Sequence, residues 1–222
     1  MHADAVNKNT YAYEIFDPEV VGNQRNILMS EVAGRSAVMS MINMVDATIT
    51  KDSPETKKII ERLKELEYEG YQYEGAESSF ELVIRKMLGK YKPFFELKEF
   101  KVIVNEPTIN SVNSSAMIKI LVDGQTEITA AEGDGPVNAL DKALRKALER
   151  FYPEIAEIKL TDYKVRVLDS NFATASKVRV LIETTDGKDV WTTVGVSTDI
   201  IEASWRALVD SVEHKLMKSR ES

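Results

Sequence analysis

Gly133-Asp134-Gly135-Pro136 is the stretch of this chain whose residue types and order are best suited to hold a ligand. Glycines let backbone amides come close to a guest. Pro136 suits the first position of a helix, with Gly135 as its cap. A helix that begins without a capping side chain keeps free N–H groups and the positive end of its dipole, so it favours a negative group. A carboxylate is a natural guest. The same residues also make an ordinary tight turn, and spacing alone leaves both readings open. Support for catalysis is thinner. Glu157, Asp162 and Asp169 read as solvated loop acids, and no Ser–His–Asp arrangement, P-loop or metal-ligand cluster is present. Two histidines, His2 and His214, are too few for a His-rich metal site. His214, between Glu213 and Lys215, reads as a solvated helix residue. The absence of cysteine excludes thiolate and disulfide chemistry and makes a reducing cytoplasm the expected setting.

The elements around the glycines set how they are presented. Thr126 to Ala131 alternates as a strand. After Pro136 comes an amphipathic helix with Val137, Leu140, Leu144, Ala147, Leu148 and Phe151 on one face. Two earlier strands lead in, Phe100 to Val104 and Met117 to Val122, and Asp123-Gly124 is a hairpin turn. The order then returns. Tyr163-Lys164-Val165-Arg166-Val167 answers Phe100-Lys101-Val102-Ile103-Val104, Asp186-Gly187 answers Asp123-Gly124, and Arg206-Ala207-Leu208 answers Lys142-Ala143-Leu144. A duplicated βββα unit is expected, and two such units must pack together to close a core. In the second unit the helix start reads Ser197-Thr198-Asp199 with Glu202 beyond, a capping box that satisfies its own amides.

Upstream the pattern is helical. Asp52-Ser53-Pro54-Glu55 starts a helix carrying Ile59, Ile60, Leu63 and Leu66, with Asp52 as its capping acid. Ser78-Ser79 caps another, with Phe80, Val83, Ile84, Met87 and Leu88 on its apolar face, and Ala33 to Val45 is a short helix. These segments show no obvious core of their own. The predicted class is α+β: a linker subdomain over 1–48, a helical linker subdomain over 49–93, and a duplicated βββα domain over 94–222. Against 29 basic side chains stand 36 acidic ones, a formal charge of −7 over 222 residues. That balance argues against a sequence-independent grip on nucleic acid, and no run is long and apolar enough for a membrane span.

Several dispersed runs together resemble the C-terminal regulatory domain of the citramalate synthase and 2-isopropylmalate synthase family, with wording closer to the citramalate branch. They are Ala131-Glu132-Gly133-Asp134-Gly135-Pro136-Val137-Asn138-Ala139-Leu140, Asp162 to Val167, Trp191 to Ser197 and Ile200 to Trp205. His2 to Val6, Asp17 to Gly22 and Ser30 to Ser36 resemble the family's linker subdomains. The resemblance implies feedback inhibition by an end-product amino acid, isoleucine for the citramalate branch and leucine for the other. It implies a homodimer with the effector near the two-fold interface. Gly133, Asp134 and Gly135 would frame the effector's polar end. Val137, Leu160, Tyr163 and Val167 would line its apolar side, with Ile200 or Ile201 added by the second unit. His2 and Tyr13 match linker residues that serve the family's catalytic barrel, which condenses acetyl-CoA with a 2-oxo acid, pyruvate in the citramalate branch, and carries a divalent metal. That barrel is not in this sequence, so no cofactor and no condensation are expected of the chain alone. Ala173 stands before Thr174 where the family pattern often has glycine. A purely structural dimerisation module is the rival reading. A bulky residue at Gly133 is expected to separate the two, by abolishing effector binding while leaving dimerisation intact.

Overall fold

A computed structural model describes residues 35–109, 112–168 and 175–221. His2, Tyr13, Asp169, Ala173 and Thr174 lie outside them. Three helices open the described chain: α1 (Arg35–Val45), α2 (Pro54–Glu69) and α3 (Glu77–Met87). Pro54 starts α2, but its cap is Ser53 rather than Asp52. The Ser53 hydroxyl is taken by the Thr50 amide at 3.0 Å and caps nothing in the helix. Gly70 ends α2 in the left-handed region at φ 111°, where glycine carries no Cβ penalty, and Tyr71 N–H returns to Leu66 O at 2.9 Å.

The expectation that Ser78-Ser79 caps the third helix is not met. Ala76 occupies that place, and both serines lie buried within α3. They face tertiary partners, which no local pattern reveals. Nor are the linker helices without a core. Ile42, Ile59, Leu63, Leu66, Tyr73, Phe80 and Ile84 form a buried cluster, completed by Val194 from a distant strand.

The repeat follows. In the first unit β1 (Glu96–Ile109), β2 (Val112–Val122) and β3 (Gln125–Gly133) make an antiparallel sheet in that order, followed by α4 (Pro136–Leu148). A short 3₁₀ turn, Pro153–Glu157, leads to the second unit. There β4 (Lys159–Val167), β5 (Val178–Thr185) and β6 (Val190–Ser197) repeat the order, and α5 (Ile200–Glu221) closes the chain. The Asp123-Gly124 hairpin has both residues at positive φ, 46° and 80°, as a type I′ turn requires.

The two units share one core. Ile118, Ile120 and Val122 of β2 face Leu140, Leu144 and Leu148 of α4, and the cluster runs on through Val180, Ile182, Trp191, Ala207 and Leu208. Helix-to-strand seating is the same in both. Thr129 Oγ1 donates to Ala143 O at 2.8 Å, and Thr193 Oγ1 donates to Ala207 O at 2.8 Å. Phe100 of the first unit rests on Trp205 of the second, with ring centroids 5.4 Å apart.

Candidate functional site

The start of α4 is bare. Gly135, its cap, lies extended at φ −163° and ψ 171°, provides no side chain, and no acidic residue occupies the first turn. Ala139 N–H closes the first helical bond to Gly135 O at 2.9 Å. Among the described residues no side chain accepts from the amides of Val137 or Asn138. The Asn138 side chain turns back instead and accepts the Asp134 N–H at 3.3 Å. The helix end therefore offers donors to solvent, with the half-buried Val137 packed against the core beside them.

The start of α5 is closed. Asp199 Oδ1 accepts from Ile201 N–H at 2.7 Å and from Glu202 N–H at 3.4 Å. The reciprocal arm of the expected capping box is relayed through a third residue. Asp199 N–H goes to Ser197 Oγ at 3.1 Å, and that hydroxyl donates to Glu202 Oε2 at 2.6 Å. The Ser197 hydroxyl, and then Arg206, hold the Glu202 carboxyl below its ordinary range.

The two glycines of the loop play different parts. At Gly135 a Cβ would meet nothing within 4 Å. At Gly133 it would lie 2.5 Å from Ala139 N and 2.7 Å from Asn138 Oδ1. Gly133 is thus required by the close approach of β3 to α4. A bulky residue there breaks the packing and cannot serve as a selective probe of binding, contrary to expectation.

The other expected effector residues fall into two places. Val167 and Ser197 both pair with Val178, so the end of β4 lies at the same end of the sheet as the start of α5. The Ser204 hydroxyl donates to Ile200 O at 2.6 Å, so the Tyr163 hydroxyl donates to Ser204 Oγ at 2.9 Å. Tyr163, Val167, Ile200 and Ile201 therefore belong to one region. Leu160 does not. It pairs with Thr184 at the far end of β4, roughly 23 Å from Val167 at strand spacing. Tyr163, Val165 and Val167 are 38%, 41% and 54% exposed, although Ile182 and Val180, the β5 partners of the first two, are fully buried.

Sequence reasoning missed the junction between the linker helices and the second unit. Ser79 Oγ donates to Asp210 Oδ2 at 2.8 Å and accepts the Val194 amide of the β6 edge at 3.0 Å. Burial pushes the Asp210 carboxyl up, against the pull of Lys86 and Ser79. His214 is not solvated, as expected of it, but 7% exposed, its ring centroid 5.7 Å from that of Trp191 and its Nε2 3.4 Å from Ser78 Oγ. Burial lowers its pKa to about 4. Beside it, Glu213 is 1% exposed, accepts from Phe94 N–H at 3.2 Å, and is raised to about 7 by burial. No local pattern reveals this, since α5 is buried on every side from Ser211 to Met217, where an amphipathic period would bury one face only. No group of three or more His, Cys, Asp or Glu side chains among the described residues could hold a metal ion. No described helix is long and apolar enough to cross a membrane.

Comparison with known proteins agrees with this architecture. A family model described as the LeuA allosteric (dimerisation) domain matches residues 74–216. The chain belongs to the LeuA allosteric (dimerisation) domain family. A second model, homocitrate synthase post-HMGL domain-like, matches residues 1–70. Among curated relatives of this LeuA-type chain, the (R)-citramalate synthase of Aquifex aeolicus is 49% identical over 222 residues, all of this chain and 42% of that protein. The (R)-citramalate synthase of Geobacter sulfurreducens is 48% identical over 222 residues, again 42% of its length. That of Sulfolobus acidocaldarius is 43% identical over 220 residues, 40% of its length. The chain thus spans about two fifths of the relatives it matches.

Proposed function

We propose that this chain is the isoleucine-sensing regulatory part, with its linker, of a citramalate synthase-like enzyme that condenses acetyl-CoA with pyruvate. The observation that carries the reading is the bare start of α4 beside its self-capped twin. One duplicated unit satisfies its own helix amides, and the other leaves them open to a carboxylate. In this reading Gly133 seats β3 against the helix, and Gly135 with the Val137 and Asn138 amides receives the carboxylate. Val137 begins the apolar wall. Isoleucine and leucine have equal atom counts, so the wall must separate them by shape. Catalytic roles for His2 and Tyr13, and the divalent metal, belong with the barrel outside this sequence. Feedback needs different affinities for two states of the whole assembly, so the chain alone is expected to bind the effector without displaying inhibition.

A homodimer is part of the proposal. Trp205 covers Phe100 on β1, whereas its counterpart on β4, Tyr163, stands open with Val165; at the strand ends Val104 and Val167 are equally exposed, 56% and 54%. A second copy would cover the β4 strip and bring Tyr163 and Val167 to an interface. The same strip favours the rival reading of a dimerisation module without an effector.

One substitution separates them. Gly135→Asp fits sterically and supplies the cap that the second unit already has. Calorimetric titration with isoleucine, leucine and valine is expected to show an isoleucine site at α4 in the parent chain and the loss of that site in G135D, with both dimeric by ultracentrifugation. Binding of isoleucine by G135D as by the parent removes the carboxylate from α4. A response to leucine in place of isoleucine moves the chain to the 2-isopropylmalate synthase branch.

A further inference from the structure

A cleft of about 270 Å³ opens where α2 and α3 meet β6 and α5, away from the start of α4. Small-molecule pockets run from about 300 Å³ upward, so this one suits a compact ligand. Leu66, Val83, Val209 and Trp205 give it an apolar lining. Its polar groups are unequally engaged. Arg206 is committed to Val196 O and Glu202 at 2.7 Å each. Asp210 accepts from the Ser79 hydroxyl at 2.8 Å. Lys86 lies 3.4 Å from Asp210 Oδ1, long for an ammonium–carboxylate bond, and it keeps donors to spare. Tyr73 is only 6% exposed, and its hydroxyl has no hydrogen-bond partner among the described residues. A buried hydroxyl without a partner is costly, and an acceptor placed in the cleft would relieve it.

We propose that this cleft is a second small-molecule site, taking a compact carboxylate with a short apolar body. The carboxylate meets the Lys86 ammonium and the Tyr73 hydroxyl, and the body lies on Leu66, Val83 and Trp205. An amino acid and its deaminated acid share this chemistry. Asp210 is already satisfied by Ser79 and Lys86, so an ammonium on the ligand adds little. An occupant would touch the linker helices and α5 together, and so would tighten the junction across which a regulatory signal must pass.

The chain's two tryptophans give a direct readout, since Trp205 lines this cleft and Trp191 does not. In proton–nitrogen NMR of the whole chain, 3-methylbutanoate is expected to shift the Trp205 indole resonance saturably and leave that of Trp191 in place. Tyr73→Phe is expected to weaken this about five-fold without loss of stability, because the hydroxyl it removes is unpartnered. Lys86→Gln is expected to weaken it about ten-fold. L-Isoleucine is expected to move the same resonance with a similar midpoint. G135D keeps the Trp205 response while losing the α4 site, and Y73F weakens the Trp205 response while keeping the α4 site, so the two sites fail separately. A Trp205 resonance that stays still at tens of millimolar probe overturns the proposal, as do Y73F and K86Q variants that bind like the parent. A response to isoleucine but not to 3-methylbutanoate overturns the carboxylate assignment.

Discussion

The two βββα units share strand order, hairpin position and the threonine bond that seats helix on strand, yet they have diverged in opposite directions. In the second unit the helix start is capped by its own side chains, and the β6 edge is covered by α3 through Ser79. The open face of its sheet is held by the linker as well, with Arg179 Nε donating to Gly70 O at 2.7 Å and Lys177 Nζ to Glu69 O at 3.1 Å. The first unit has an uncapped helix, and Ile103 and Ile128 on the side of its sheet away from α4 are 59% and 57% exposed. Duplication has yielded one anchored copy and one left accessible. The proposed carboxylate site accordingly lies on the copy whose helix dipole is still uncompensated.

The largest test of this asymmetry lies at the strand–helix contact. Two residues beyond the paired threonines, the first unit has Ala131 and the second has Gly195. A Cβ at Gly195 would lie 2.0 Å from Ala203 O and 2.9 Å from Ala207 N, both backbone atoms that cannot swing away. Gly195→Ala is expected to destabilise the chain by about 3 kcal/mol or more, measured by urea denaturation. The mirror change, Ala131→Gly, is expected to cost about 1 kcal/mol, through backbone entropy. Equal costs would mean that α4 and α5 sit equally close to their strands.

The second test concerns the adjacent buried pair on α5, which has no titrating counterpart on α4. Burial raises Glu213 from 4.5 to about 7, so its contribution to stability is complete below pH 4.5 and is lost as pH rises to 7. Burial lowers His214 from 6.5 to about 4, with Lys218 and Arg85 adding to the effect. Its contribution is complete above pH 6.5 and is lost as pH falls to 4. The slopes oppose and largely cancel. Glu213→Gln is therefore expected to make stability climb between pH 4 and 6.5, by up to about 3 kcal/mol. His214→Gln is expected to make it fall from pH 4.5 to 7. Denaturation midpoints across that range check both, and a parent profile as steep as either variant's refutes the cancellation.

How much of this was legible in the sequence follows the range of the interactions. The duplication was legible because Asp-Gly turns and amphipathic helices are local signals, and so was the contrast between the helix starts, because caps lie within a few residues. The relay of the capping box through Ser197 was only half legible, since an Asp–Glu pair at that spacing does not show which hydroxyl intervenes. Ser79 was misread as a cap because serine near a helix start usually is one, and its actual partners, Val194 and Asp210, lie more than a hundred residues away. His214 was misread for the same reason. Its neighbours in sequence are charged, and its neighbours in space are Trp191 and Ser78. Leu160 was grouped with Val167 on the family resemblance alone, and only the run of β4 from Lys159 to Val167 shows that they stand at opposite ends of one strand.

The smallest effects fall on the caps themselves and bear most directly on function. Asp199→Ala removes the acceptor for Ile201 and Glu202 and is expected to cost about 1 kcal/mol, leaving α5 with free amides like those of α4. Gly135→Asp does the opposite to α4 and is expected to gain a few tenths of a kcal/mol, since an aspartate cap improves on glycine only slightly. The sign is the informative part. Thermal denaturation in the absence of effector should place G135D at or above the parent and D199A below it. Saturating isoleucine should then raise the parent above G135D, because a bound carboxylate does for the open helix what the aspartate does covalently. If isoleucine stabilises G135D as much as the parent, the free amides of α4 are not where it binds, and the difference between the two units has a structural origin alone.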